Sequence, residues 1–304
     1  MTPGPSAAAS LISDYMDVEG PPVHVTDLLA NIVSSRGWAA ADDVAEKAVG
    51  WSSKFLFQLT RTESLERQRG SFVVYTFNSS DPEYVQGSCF CEPTDDQQTV
   101  EAKKRRARTL PIAREFEALT PTDFEKLCGG VLRLFGVSDP QVSRRSADQG
   151  IDFYGSAPFA KVLAEEKLPA GVEKDLRVWI VGQAKHYSAV KVSTKDLREL
   201  VGSTELARAK IFAGSKDPLD EFTARLCDPV FYMLITSGVF TRDSHDLIGR
   251  SGIIALDQMQ LAQLLADNGV GTAADLITSG DLTSWLDGEP AIDVSGGEET
   301  GVSN

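Results

Sequence analysis

Apolar and polar positions along this chain follow two periods, and the switches between them mark the elements. The opening stretch, rich in Pro, Gly, Ala and Ser, shows neither period and is expected to be disordered over residues 1–21. Between Asp27 and Ser35, Leu28, Leu29, Ile32 and Val33 fall on one helical face, and 41–49 reads as a second short helix. Gly50-Trp51 then makes a turn, Ser52 caps a third helix to about Leu65, and 66–77 reads as a hairpin with Gly70 at its tip. The stretch that follows is polar, mixed in charge and aperiodic, and is expected to be a linker over 80–110.

Beyond Pro111 the pattern strengthens. Phe124, Leu127, Cys128, Val131, Leu132 and Phe135 recur at helical spacing after Pro121, and read as core. Val178-Trp179-Ile180-Val181 is a strand-like apolar run, followed by an amphipathic helix over 194–209 with Leu197, Leu200, Val201 and Leu206 on its buried face. Asp228-Pro229 opens a strand over 230–235, 253–256 reads as another, and 258–265 as a helix. Strands alternating with helices predict an α/β domain over 111–287, a mixed sheet flanked by helices. A last helix is expected around Thr283–Leu286, and an acidic disordered tail over 288–304.

The chemistry gathers at two of these strands. Asp152 closes Gly150-Ile151-Asp152, and Gln183-Ala184-Lys185 ends the apolar run. Positions i and i+2 of a strand share a face, so Gln183 and Lys185 look into one site while Ala184 looks away. A carboxylate and an amide oxygen suit a hard divalent ion, and an ammonium beside them can position a water and offset developing negative charge. These types suit attack on a phosphodiester. Asp152 and Lys185 also suit an ordinary ion pair at a sheet end. Glu125 suits the first turn of a helix for dipole reasons alone.

In order along the chain stand Phe124-Glu125, Asp148-Gln149-Gly150-Ile151-Asp152, Gln183-Ala184-Lys185 and Ile235-Thr236-Ser237-Gly238-Val239-Phe240-Thr241. This ordered set, over roughly residues 115–268, resembles the Mrr-like (type IV) restriction endonucleases, whose catalytic domain has the PD-(D/E)xK nuclease fold. The resemblance implies that Asp152 and Gln183 bind Mg²⁺ or Mn²⁺, that Lys185 is catalytic, and that Glu125 is the acid of the first helix. Gln149 departs from a second glycine common in the family, the connection over 156–177 is long, and Gln183 stands where many members have Glu. His186 adjoins the site as a phosphate contact or a structural histidine, and Thr236 and Ser237 as a cap of the strand-to-helix turn. A nuclease of this kind acts on double-stranded DNA, commonly as a homodimer, and restricts foreign or modified DNA. The other reading is a DNA-binding or partner-activated subunit of a defence complex, its activity latent or lost.

Three helices and a hairpin over 22–79 resemble a winged helix-turn-helix domain. That implies Lys54, Gln58 and Arg61 in the major groove and Arg67 and Arg69 in the wing on phosphates, or a module that docks protein instead.

The net charge of −14 runs against DNA binding until its distribution is read. After Arg250 the chain has no Lys or Arg and nine acids, which leaves 30 bases against 35 acids before that point. Basic character concentrates at Lys103-Lys104-Arg105-Arg106-Ala107-Arg108 and at Arg144-Arg145, both candidates for the DNA backbone. Cys89, Cys91, Cys128 and Cys227 form no zinc-ligand spacing, which points to free thiols. Neither a signal peptide nor an apolar span of membrane length is evident, so a cytoplasmic location is expected.

Overall fold

The computed structural model describes residues 3–143, 150–159, 176–187, 190–212, 217 and 219–270. The chain divides into two units, Met1–Thr109 and Leu110–Asn304.

The first unit holds α1 (Pro5–Ala9), β1 (Val23–His24), α2 (Val25–Ser35), α3 (Val44–Gln68), β2 (Tyr75–Phe77), β3 (Tyr84–Gly87) and α4 (Gln97–Arg106). Its sheet is antiparallel in the order β1-β3-β2, with Val85 of β3 opposite both Val23 and Phe77. The helical face of Leu28, Leu29, Ile32 and Val33 packs against Ala48, Phe55, Leu59, Tyr75 and Val85.

Four sequence expectations are corrected here. The opening residues are not disordered throughout: Pro5 starts α1, and Ala8, Ala9, Ile12 and Met16 are buried in the core. Small side chains that look featureless in sequence are what a close helix contact needs. Gly50-Trp51 does not turn, because α3 runs through it for 25 residues. A helical Gly costs about 1 kcal/mol relative to Ala, less than the burial of Ala48, Phe55 and Leu59 returns. Gly70, at φ 68°, closes α3 rather than tipping a hairpin: Ser71 N–H donates to Glu66 O at 2.9 Å and Gly70 N–H to Arg67 O at 3.0 Å. The hairpin is β2–β3. The expected linker is folded too, since it supplies the central strand β3 and the Asp96-capped helix α4. Part of its basic run is engaged, with Lys103 Nζ on Asp95 (2.7 Å) and Phe90 O (2.8 Å).

The second unit follows as α5 (Thr109–Glu115), α6 (Pro121–Val131), β4 (Gln141–Val142), β5 (Phe153–Pro158), β6 (Arg177–Lys185), α7 (Thr194–Arg208), β7 (Val230–Thr236), α8 (Arg242–Ser251), β8 (Ile254–Leu256) and α9 (Gln258–Asp267). The sheet order is β4-β5-β6-β7-β8. The pairs from β4 to β6 are antiparallel and those from β6 to β8 parallel, so the sheet is mixed as the pattern predicted. On one face Phe153, Ile180, Met233 and Ile235 pack with α6 and α9. On the other, Tyr154, Trp179 and Val181 pack with Ala207 of α7, and Leu234 with Leu197 and Leu200. Leu206, expected on the buried face of α7, is 49% exposed and is a further correction.

Among the described residues no helix is long and apolar enough to cross a membrane. The last expected helix and the acidic tail lie outside the described residues.

Candidate active site

The site forms where β5 begins and β6 ends. Phe153 stands opposite Gly182, so Asp152, one residue earlier, arrives beside the end of β6. Its N–H donates to Gly182 O at 2.9 Å, its carbonyl accepts from Ser143 N–H at 2.8 Å, and its Oδ2 accepts from Ala184 N–H at 2.7 Å. The bonds to Gly182 and Ala184 bracket Gln183, and a backbone donor on an ionised carboxylate is a short, strong bond. Gly150, just before, has φ 80°, and a Cβ there would lie 2.8 Å from Ser203 Oγ on α7 and 3.5 Å from Gln183 Nε2. Only glycine carries the chain through that gap to Asp152.

Gln183 and Lys185 continue the row of Trp179 and Val181 on the α7 face of β6. Gln183 is 2% exposed, and its Oε1 is buried with no hydrogen-bond donor. An acceptor left open in this way costs about 1–3 kcal/mol, and native folds seldom tolerate it. Lys185 is half-buried, and its ammonium makes no ion pair or hydrogen bond among the described residues. The ordinary Asp152–Lys185 ion pair is therefore not what holds this sheet end.

Glu125 comes from α6, on the other side of the sheet, within the helix that Thr120 caps and Pro121 starts. Beneath it Cys128 is wholly buried, and burial pushes its thiol well above the ordinary range, with the charges of Asp152 and Glu125 pushing the same way. Helix acid and strand acid thus act on one sulfur. Among the described residues no three of His, Cys, Asp and Glu cluster to hold a metal. The donors on offer are instead the Asp152 carboxylate and the open amide oxygen of Gln183, with the Glu125 carboxylate on α6 as a further candidate. All are hard oxygen ligands, which suit Mg²⁺ or Mn²⁺ and not a soft ion.

The segment after Lys185 is fastened by residues the sequence left in minor roles. Lys185 O accepts from Thr236 Oγ1 (2.8 Å) and Ser237 N–H (3.2 Å), and Ser237 Oγ accepts from Tyr187 N–H (3.0 Å). Thr236 also caps the turn that leaves β7, its Oγ1 accepting from Gly238 N–H at 3.0 Å, while α8 itself is capped by Thr241, which accepts from Ser244 N–H. His186 places Nε2 3.0 Å from Leu119 O and Nδ1 2.8 Å from Ser237 Oγ, with its ring stacked on Phe124 at 5.0 Å. A carbonyl only accepts, so Nε2 carries the proton and Nδ1 accepts from the Ser237 hydroxyl. With both ring nitrogens taken, His186 ties β6 and β7 to the approach to α6 and does not reach for a phosphate. His186→Ala should cost about 1–3 kcal/mol of stability through its lost hydrogen bonds. Because this tie holds the backbone beside Lys185, the variant should also lower kcat on the order of 10²-fold with little change in KM. Thermal melts and steady-state cleavage check both.

In the first unit Lys54 and Arg61 are exposed and Gln58 half-exposed along α3. Arg67 and Arg69 do not stand in a wing. Arg67 lies in the last turn of α3, paired with Glu63 at 2.8 Å, and Arg69 caps that helix, paired with Glu66 at 3.2 Å. The loop that joins β2 to β3 holds Asp81 and Glu83 and no base. Arg144 and Arg145 lie outside the described residues.

Residues 116–213 match the model of the Mrr_cat family, described as restriction endonuclease. No curated protein matches the chain. Among solved structures, the MspJI restriction endonuclease in complex with a 27-mer oligonucleotide aligns at 18% identity over 65% of this chain and 38% of that one, with a TM-score of 0.38. The DNA modification-dependent restriction endonuclease AspBHI aligns at 15% identity over 69% and 46%, with a TM-score of 0.36. Restriction endonuclease FokI aligns at 10% identity over 87% and 44%, with a TM-score of 0.33. The chain spans less than half the length of these structures.

Proposed function

We propose, from the premise that residues 116–213 are a restriction-endonuclease domain, that this chain is a metal-dependent endonuclease that hydrolyses phosphodiester bonds in double-stranded DNA. The observation that carries the reading is the buried, donorless Oε1 of Gln183, bracketed by the hydrogen bonds of Asp152 and two residues from an unpaired Lys185. Asp152 and Gln183 would hold Mg²⁺ or Mn²⁺, with Glu125 contributing its charge from α6. The ion, when bound, supplies positive charge at the phosphate and makes a bound water easier to deprotonate. Lys185 orients the attacking water and meets the charge that grows on the phosphoryl oxygens. Thr236, Ser237 and His186 hold the backbone from which Lys185 reaches.

The first unit supports a DNA-reading role. Its order of α1, β1, α2, α3, β2 and β3, with the sheet arranged β1-β3-β2, fits a winged helix-turn-helix, and α3 would present Lys54, Gln58 and Arg61 to the major groove. Cutting both strands of a twofold substrate favours a homodimer. Restriction of foreign or modified DNA in the cytoplasm is the role this reading implies. The net charge of −14 and the pairing of Arg67 and Arg69 with acids favour one variant, a nuclease docked in a defence complex and switched on by a partner protein.

The test is incubation of the full chain with unmodified and methylated supercoiled plasmid in Mg²⁺, Mn²⁺ or EDTA. Nicking or linearisation that needs the metal and is lost in Asp152→Asn is the expected result. A well-folded chain that binds DNA but cuts under none of these conditions overturns autonomous cleavage and leaves the partner-activated variant or a binding-only protein.

A further inference from the structure

The outward face of α3 has a composition that the nuclease reading does not explain. At 3.6 residues per turn, Phe57 points directly away from the buried Ala48, Phe55 and Leu59, and it is 62% exposed. Its neighbours one turn away on either side are Ser53, Lys54, Thr60 and Arg61, all exposed. From Lys47 to Thr62 the helix has no acid, in a chain of net charge −14; Glu46, exposed on the same face, lies three turns before Phe57 at the start of α3. The acids that follow face away in their pairings: Glu63 is held by Arg67 and Thr76, and Glu66 by Arg69. Lys54 and Arg61 have no ion pair among the described residues.

We infer that this face seats in the major groove of duplex DNA with Phe57 against the C5 methyl group of a pyrimidine. The inference rests on the DNA-reading role proposed for the first unit and names what that unit reads. Two cations without ion pairs among the described residues, one turn before and one turn after Phe57, complement phosphates and the acceptor edge of guanine. A phenyl ring has no hydrogen bond to offer there. The apolar group that base edges display in the major groove is the methyl at C5 of thymine, and a methyl at C5 of cytosine occupies the same place. Phe57 is thus a specificity residue for a 5-methylpyrimidine, while Lys54 and Arg61 fix register beside it.

The experiment uses the full chain in EDTA, so that binding is read without cutting. Duplexes retained from a randomised pool are resynthesised with uracil for thymine, or with 5-methylcytosine for cytosine, one position at a time. The wild type should lose about tenfold in affinity where one methyl is removed, the scale of a single base contact. Loss with uracil identifies thymine as the source, and gain with 5-methylcytosine identifies methylated cytosine. Phe57→Ala should bind the paired duplexes alike, with an unchanged melting temperature. A wild type that binds DNA with indifference to every methyl overturns the inference and leaves the DNA-reading role standing. So does a Phe57→Ala chain that keeps the discrimination. No retained duplex overturns both, and capture of a protein through Phe57 would then make this face a docking surface.

Discussion

Lys185→Ala should slow DNA cleavage by about 10²–10³-fold, the usual cost of removing one group that meets transition-state charge. Its melting temperature should stay that of the wild type. Lys185 is half-buried and its ammonium has no partner among the described residues, so truncation strands no paired charge and opens no core. Binding of DNA and of Mg²⁺ should change little, because Asp152 and Gln183 remain. Lys185→Arg should recover only part of the rate, since a planar guanidinium does not replace a compact, strongly hydrated point charge. Single-turnover cleavage at saturating Mg²⁺ is the measurement, and a Lys185→Ala rate equal to that of the wild type would remove this residue from the chemistry.

Gly182→Ala should destabilise the fold at the strand that carries the site. A Cβ at Gly182 would lie 2.2 Å from ring carbons of Phe153 and 2.9 Å from Met233 O. Neither can give way cheaply, for Phe153 is wholly buried in the core under α6 and Met233 O belongs to the neighbouring strand. Overpacking of this kind costs about 1–3 kcal/mol, and here it falls at the upper end because the obstacle includes backbone. The damage reaches the site, since Gly182 O accepts the N–H of Asp152 and Phe153 is Asp152's neighbour. Denaturant melts should show the loss. Phe153→Leu in the same chain should return part of it, a coupling that a double-mutant cycle reads directly. Additive losses would mean that the ring is not the obstacle.

Legibility followed the range of the interactions. The strand over Val178–Lys185 and the helix over Thr194–Arg208 were readable because their periods are local, and the shared face of Gln183 and Lys185 follows from strand geometry alone. What escaped depends on partners distant in sequence. Gly50 looked like a turn because nothing nearby reveals that Phe55 and Leu59 will be buried against α2 and Tyr75. Gly70 and its basic neighbours looked like a wing, when Glu63 and Glu66 one turn back draw Arg67 and Arg69 onto the helix. Tyr84–Gly87 carries little pattern of its own, yet it becomes the middle of a sheet by pairing with both Val23 and Phe77. In the site, Asp152, Gln183 and Lys185 were nameable from the ordered motif, but the openness of Gln183 Oε1 and the fastening of Lys185 by Thr236 and Ser237 needed β5 and β7 in place.

β6 is bonded along both edges, to β5 on one side and β7 on the other. Its amides can open only when a neighbouring strand leaves, so Gln183 and Lys185 sit on a segment that should exchange its hydrogens as slowly as the domain unfolds as a whole. Fraying at the surface leaves such a strand untouched, and the alignment of its two polar side chains lasts as long as the sheet does.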